Sequence, residues 1–298
     1  MSQAFSISAR RRYGLTRVCT AWRISRATVH RHRQAANTPR APRRRPGPEG
    51  AMSDAELAVR IRELLTSSPF HGEGYRKVWA RLRHAGVRTS PKRVLRIMRD
   101  QGLLAHQRTG SPRGPRAHDG RITTDRVDEM WGTDMTAVAT GEGQAAVFIA
   151  VDHCSAECVG IHASASATRF EALEPIRQGV RASFGAFAKD IATGLKIRHD
   201  HGSQYMSKDF QNEIKFLGAD SSPAFVRAPE GNGCAERFIR TLKENLLWIR
   251  WFETVEELRQ ALLEFQRTYN EQWIIERHGH RPPVDIRREQ TVNISRAA

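Results

Sequence analysis

The chain has 298 residues and a formal net charge of +16, with 39% hydrophobic and 27% charged residues. That length divides into more than one core, and the positive excess points to a polyanionic partner, nucleic acid being the commonest. No apolar run reaches the roughly 20 residues that cross a bilayer and no apolar signal core opens the chain, so no membrane partner and a cytoplasmic location are expected. The four cysteines, Cys19, Cys154, Cys158 and Cys234, are too scattered for a disulfide framework and read as free thiols.

The charge is unevenly spread. Residues 1–120 carry 26 Lys and Arg against 7 Asp and Glu, and residues 121–298 carry 22 against 25. A basic grip thus precedes a nearly neutral working part. Within the grip, residues 1–33 hold a basic segment of helix-turn-helix shape. One helix ends near Trp22, Arg23-Ile24-Ser25 turns the chain, and a second helix starts at Ser25, with Val18, Ala21 and Val29 as small packed positions. A plain basic helical hairpin is the competing reading. Residues 34–52, rich in Pro and Arg, read as a flexible basic linker.

Residues 53–104 predict a small all-α unit. Ser53 and Asp54 cap a first helix whose Leu57, Ile61, Leu64 and Leu65 recur at helical spacing. Helices follow over 75–84 and 90–100, the latter entered by Ser90-Pro91 and striped by Val94, Leu95, Ile97 and Met98. Arg76, Lys77, Lys92, Arg93 and Arg96, with Arg81, Arg83 and Arg99, are expected on the outer faces, where they would lie along DNA phosphates. A solvated basic face is the alternative. Residues 105–124, again rich in Pro, Gly and Arg, read as a second linker.

Beyond the linker the period changes from helical to alternating. Residues 130–140, 144–153 and 157–165 predict three antiparallel strands, followed by a helix over 168–184, a strand over 195–198, a helix over 207–217 and a strand over 219–224. Helices over 233–248 and 254–270 close a domain at 125–270, leaving a tail at 271–298. The order βββαβαβαα gives the fold class: α/β, a mixed sheet flanked by helices, preceded by small all-α modules. It is the order of ribonuclease-H-like nucleases. Cys154 and Cys158 with His153 and His162 invite a zinc reading, but the segment reads better as two strands and a turn, with no second ligand pair at zinc spacing.

The acids carry the chemistry. Asp134 lies in WGTDMT within the first strand, where a buried strand has no structural use for a carboxylate, and Asp200 follows the fourth strand in HDHGSQY. Glu236 lies in the first turn of the helix in GNGCAERFIRTLKENLL, with 35 residues between it and Asp200, and Lys243 is two turns further along the same face. Phosphoryl transfer on DNA uses two divalent ions held by a few carboxylates that converge from different elements. Asp152 is a spare acid near the same sheet and reads as structural.

WGTDMT, HDHGSQY and NGCAERFIRTLKE resemble the catalytic core of DDE transposases and retroviral-type integrases, and most closely the second-reading-frame transposases of insertion-sequence family three. GYRKVWARLR, SPKRVLRIMRDQGLL and the tail YNEQWIIERHGHRPP extend the resemblance over about residues 54–285. It implies a ribonuclease-H-like core in which Asp134, Asp200 and Glu236 hold two Mg²⁺ ions, with Mn²⁺ able to substitute. Lys243 would position the DNA end, and Gln204 and Tyr205 would touch DNA, with Arg240 as a further contact. His199 and His201 depart from the family's usual residues beside the second Asp. Expected partners are double-stranded DNA, further copies of the chain assembled on it, and an upstream helix-turn-helix reading-frame product; the expected location is the nucleoid. A DNA-binding regulator whose acids are incidental and a stand-alone nuclease of the same fold are the rival readings.

Overall fold

The computed structural model describes residues 3–37, 52–106, 122–224 and 232–297. Most of both expected linkers, residues 38–51 and 107–121, lies outside the described residues, as does Gly231. The chain divides into two units, Met1–Ala51 and Met52–Ala298.

In the first unit a two-stranded ribbon, β1 (Phe5–Ser6) and β2 (Arg11–Arg12), precedes α1 (Gly14–Ala21) and α2 (Arg26–Asn37). The two helices agree with the helix-turn-helix expectation in length and spacing, but α2 runs through residues 34–37, which had been assigned to the linker. The packed position is Cys19 rather than Ala21, which is exposed.

The second unit opens with α3 (Asp54–Ser67), α4 (Tyr75–His84) and α5 (Pro91–Asp100). A complete capping box, with Ser53 and Glu56 exchanging side-chain and backbone bonds, starts α3, and Ser90 with Pro91 starts α5. Their apolar stripes meet in a small core of Leu57, Ile61, Val78, Leu82, Val94, Ile97 and Met98.

Five strands then form one sheet in the order β5-β4-β3-β6-β7. β3 (Met130–Thr140), β4 (Gly143–Asp152) and β5 (Cys158–Ser164) are an antiparallel meander, while β6 (Lys196–His199) and β7 (Asp220–Pro223) add in parallel beside β3. The period of two along β4 builds both cores. Ala145, Val147, Ile149 and Val151 face one layer, and Ala146, Phe148 and Ala150 face the other. The second layer is α6 (Arg169–Phe184), α7 (Ser203–Met206) and α8 (Lys208–Phe216); the first is α9 (Gly233–Leu242) and α10 (Val255–Gln272). This is the mixed, helix-flanked, ribonuclease-H-like sheet that the strand order implied.

Two departures bear on the site. The single helix expected over 233–248 is α9 followed by a π-turn, Lys243–Leu247, closed by the Trp248 amide donating to the Lys243 carbonyl at 2.9 Å. The tail holds α11 (Pro283–Ala297), whose Arg287 clamps Asp128 through two bonds of 2.6 and 2.9 Å and also pairs with Glu157. Residues 283–290 are therefore packed on the sheet's near end. Among the described residues, no helix is long and apolar enough to cross a membrane.

Candidate active site

Strand pairing brings the first two acids level. β3 and β6 run parallel with Met130 opposite Lys196, Trp131 opposite Ile197 and Gly132 opposite Arg198. The same register, carried two residues on, sets Asp134 beside Asp200, where β6 has ended and the chain turns away. Adjacent strands lie about 4.8 Å apart, so the two carboxylates share one edge. Asp200 is exposed, and its Oδ1 accepts the Gly202 amide at 2.8 Å. His199, fully buried, stacks on Tyr205 and donates from Nδ1 to the Asp200 carbonyl at 2.6 Å, while its Nε2 accepts from Ser221. Burial holds this imidazole below its ordinary pKa, so the neutral ring braces the Asp200 backbone.

Glu236 arrives on α9, and a close approach docks that helix. Gly132 has no side chain where a Cβ would lie 2.7 Å from Asn232 Oδ1, 2.8 Å from His153 Nε2 and 3.4 Å from Ala235 Cβ. Into that gap Asn232, just ahead of the helix, donates from Nδ2 to the Thr133 carbonyl at 2.9 Å. The strand residue before Asp134 is thereby tied to the helix that carries Glu236 in its first turn.

The electrostatics report the assembly. Burial raises the Asp134 carboxyl to about 6; the Met135 amide opposes this, the charges of Asp200 and Glu236 push it higher, and Lys243 pulls it down. The Asp134 carboxyl thus feels all three of the other groups, as a residue collecting negative charge for a cation would. Among the described residues no three His, Cys, Asp or Glu side chains stand close enough to hold a metal ion, so the acids are coupled without being drawn into a closed cage. The donor set is all carboxylate oxygen, which suits Mg²⁺ or Mn²⁺ and not zinc.

Several expected DNA contacts need correction. Tyr205 is fully buried among Phe210 and His199, so its ring belongs to the core and cannot meet DNA. Lys77 does not face outward: its Nζ lies 2.7 Å from the centre of the Trp273 ring, buried, and burial lowers it to about 7. Arg93 and Arg96 both pair with Asp54, and Arg76 pairs with Glu276 on the surface. Lys92 is exposed, Gln204 is half-buried with its Nε2 beside the same Gly202 position as Asp200 Oδ1, and Arg240 is exposed with a single i,i+4 partner in Glu244. Asp152 is a turn cap, accepting from the Ser155 amide and hydroxyl and the Asp128 amide. All four cysteines are free thiols. Sequence reasoning missed Gly132 and Asn232 as docking residues. Their only signal was position, two residues before one acid and four before another.

An integrase-core polynucleotidyl transferase is the class this sheet and the domain matches support. The integrase core domain family matches residues 124–229 and again residues 219–283, and an HTH-like domain matches residues 53–110. Over 290 residues the chain is 27% identical to the Escherichia coli transposase InsD of insertion element IS2A/D/F/H/I/K, covering 95% of this chain and 94% of that one. It is equally 27% identical to InsD of insertion element IS2-9 from strain K12, covering 92% of that protein. In shape it overlaps a chain of the simian T-cell lymphotropic virus intasome in complex with the PP2A regulatory subunit B56 gamma, with 16% identity, a TM-score of 0.47, and 79% and 74% of the two chains covered. These matches support a DDE transposase of the insertion-sequence type, and the HTH-like and integrase domains imply DNA as partner.

Proposed function

We propose that Asp134, Asp200 and Glu236 are the metal ligands of this transposase, binding two Mg²⁺ ions at the edge where β3 and β6 part. The reading is supported chiefly by the parallel β3–β6 register, with the Asn232 bond to Thr133 docking the helix that carries the third acid. Bound divalent ions would supply Lewis acidity, activating the attacking oxygen and stabilising the leaving one. The chain's own part is to hold three carboxylates from separate elements and to aim Lys243 at a phosphate beside them. Water attacks the phosphodiester at an element end and frees a 3′-hydroxyl. That hydroxyl then attacks a second strand in line, with no covalent protein intermediate.

Lys92, Arg240, Arg76, Arg83 and Arg99 are exposed cations that would contact DNA, with Gln204 next to Asp200. The active form would be an assembly of several copies on paired DNA ends, helped by an upstream helix-turn-helix product and working on the nucleoid in the cytoplasm. Glu236→Gln, nearly isosteric, is expected to abolish Mg²⁺-dependent strand transfer while DNA affinity stays within about threefold. Equal loss of binding and transfer would contradict a ligand role. Transfer that survives in Asp134→Ala would return the acids to a structural role.

A further inference from the structure

The π-turn after α9 is held from outside the catalytic domain. Asn245, 7% exposed, sits in its middle. Its Nδ2 donates to the Thr241 carbonyl at 2.9 Å, filling a backbone acceptor within α9, and its Oδ1 accepts the amide of His71 at 2.7 Å. His71 belongs to the loop between α3 and α4, inside the HTH-like domain. The same loop is seated on the catalytic core by Phe70, 3% exposed, whose ring meets Trp273 edge to face at 4.9 Å. Lys243, two residues before Asn245, opens the π-turn and is electrostatically coupled to Asp134.

We propose that Asn245 is a positioning residue. It locks the π-turn to the loop of the helical domain so that the Lys243 ammonium is aimed at the acids only while that domain is seated. A π-turn inserts one residue into the α-helical repeat and so rotates every following side chain on the helix. The wider turn is therefore the form that the His71 tie selects, and Lys243 sits at its hinge. This rests on the reading of Lys243 as a phosphate-facing cation, and the test separates the two.

The test uses the full-length chain, Mg²⁺ and a labelled duplex taken from the DNA flanking its own gene, with single-turnover strand transfer as readout. Asn245→Ala is expected to slow transfer by about 10- to 100-fold, the scale of a misplaced catalytic group. It should also lower the salt slope of DNA binding by about one, as loss of one phosphate contact does. In a Lys243→Ala background, the same change should alter the rate by less than about twofold, because a residue acting through another has nothing left to act on. Amide exchange across residues 68–74 should quicken in Asn245→Ala. If the alanine variant proves unstable, Asn245→Asp gives up the Thr241 bond but keeps the oxygen for His71, and should remain non-additive with Lys243→Ala. Losses that multiply in the double variant, or unchanged protection at residues 68–74, would overturn the proposal while Lys243 keeps its role. A Lys243→Ala chain with the rate of the parent would instead remove Lys243 itself.

Discussion

Gly132 is the position where the smallest change should do most to the site. An added methyl would lie 2.7 Å from Asn232 Oδ1 and 2.8 Å from His153 Nε2, inside any real contact distance. Neither neighbour is a flexible end: Asn232 is 5% exposed and His153 is 1% exposed, with its Nδ1 donating to the Ile122 carbonyl at 3.2 Å. Overpacking of this kind costs about 1–3 kcal/mol, and loss of the Asn232 bond to Thr133 adds about 1 kcal/mol. Gly132→Ala should therefore destabilise the fold by about 2–4 kcal/mol, which at this size lowers Tm by roughly 4–15 °C. The strain falls where α9, which gives Ala235, Phe238, Ile239 and Leu242 to the core, meets β3, so α9 would be pushed off β3 and Glu236 carried with it. Strand transfer should drop more steeply than thermal stability accounts for when both are read well below Tm. Asn232→Ala removes the atom at 2.7 Å, so Gly132→Ala should cost less in that background than in the parent. The assays are scanning calorimetry and single-turnover transfer on the four chains of the cycle. A Gly132→Ala chain within about 0.5 kcal/mol of the parent, with its transfer rate intact, would refute the docking role of this contact.

Two further outcomes follow from buried side chains. Lys77 has its amine lowered from 10.5 to about 7 by burial, so the protonated form destabilises the fold. That penalty is complete below about pH 7 and fades as the pH rises toward the unfolded value, stability gaining at most about 1.4 kcal/mol per pH unit. Lys77→Met should accordingly raise Tm by more at pH 6.5 than at pH 9, both values being about the ends of the accessible window; an equal gain at both would show that the amine is solvated. Tyr205→Phe keeps the buried ring and should leave DNA affinity within about twofold in a filter-binding titration. A fall of tenfold or more would put Tyr205 back among the DNA contacts.

How far the sequence reaches depends on the distance over which each feature is decided. β4 was legible because its alternating apolar residues are needed by two cores at once, and a period of two needs no partner to be read. Asp134 stood out because a buried strand has no structural use for an acid, and Asp200 and Glu236 because, with it, their spacing matches a known pattern. The π-turn was not legible. Lys243-Glu244-Asn245-Leu246-Leu247 are ordinary helix formers or neutral residues, and the turn's outside partner, His71, is 174 positions away in the chain. The outward reading of Lys77 failed for the same reason, since the ring covering it belongs to Trp273, in a different domain. Tyr205 was misread because GSQY looks like a polar loop, whereas α7 turns the tyrosine inward against Phe210.

The sheet's own geometry explains why α9 docks where it does. β3 is paired with β4 along its whole length, from Trp131 opposite Asp152 to Thr140 opposite Gly143, but with β6 only from Met130 to Gly132. Past Gly132 its second edge has no strand partner, because β6 ends at His199 and the chain departs into α7. A central strand with one open edge leaves backbone groups that other elements must satisfy. Asn232 takes the first of them, the Thr133 carbonyl, and in doing so anchors α9 at the opening. The place where the parallel pairing stops is therefore also the place where a helix docks, and that helix carries Glu236 in its first turn. Lengthening β6 by even two paired residues would close that edge and leave α9 without its anchor, so the short fourth strand is a requirement of the site rather than an accident of the fold.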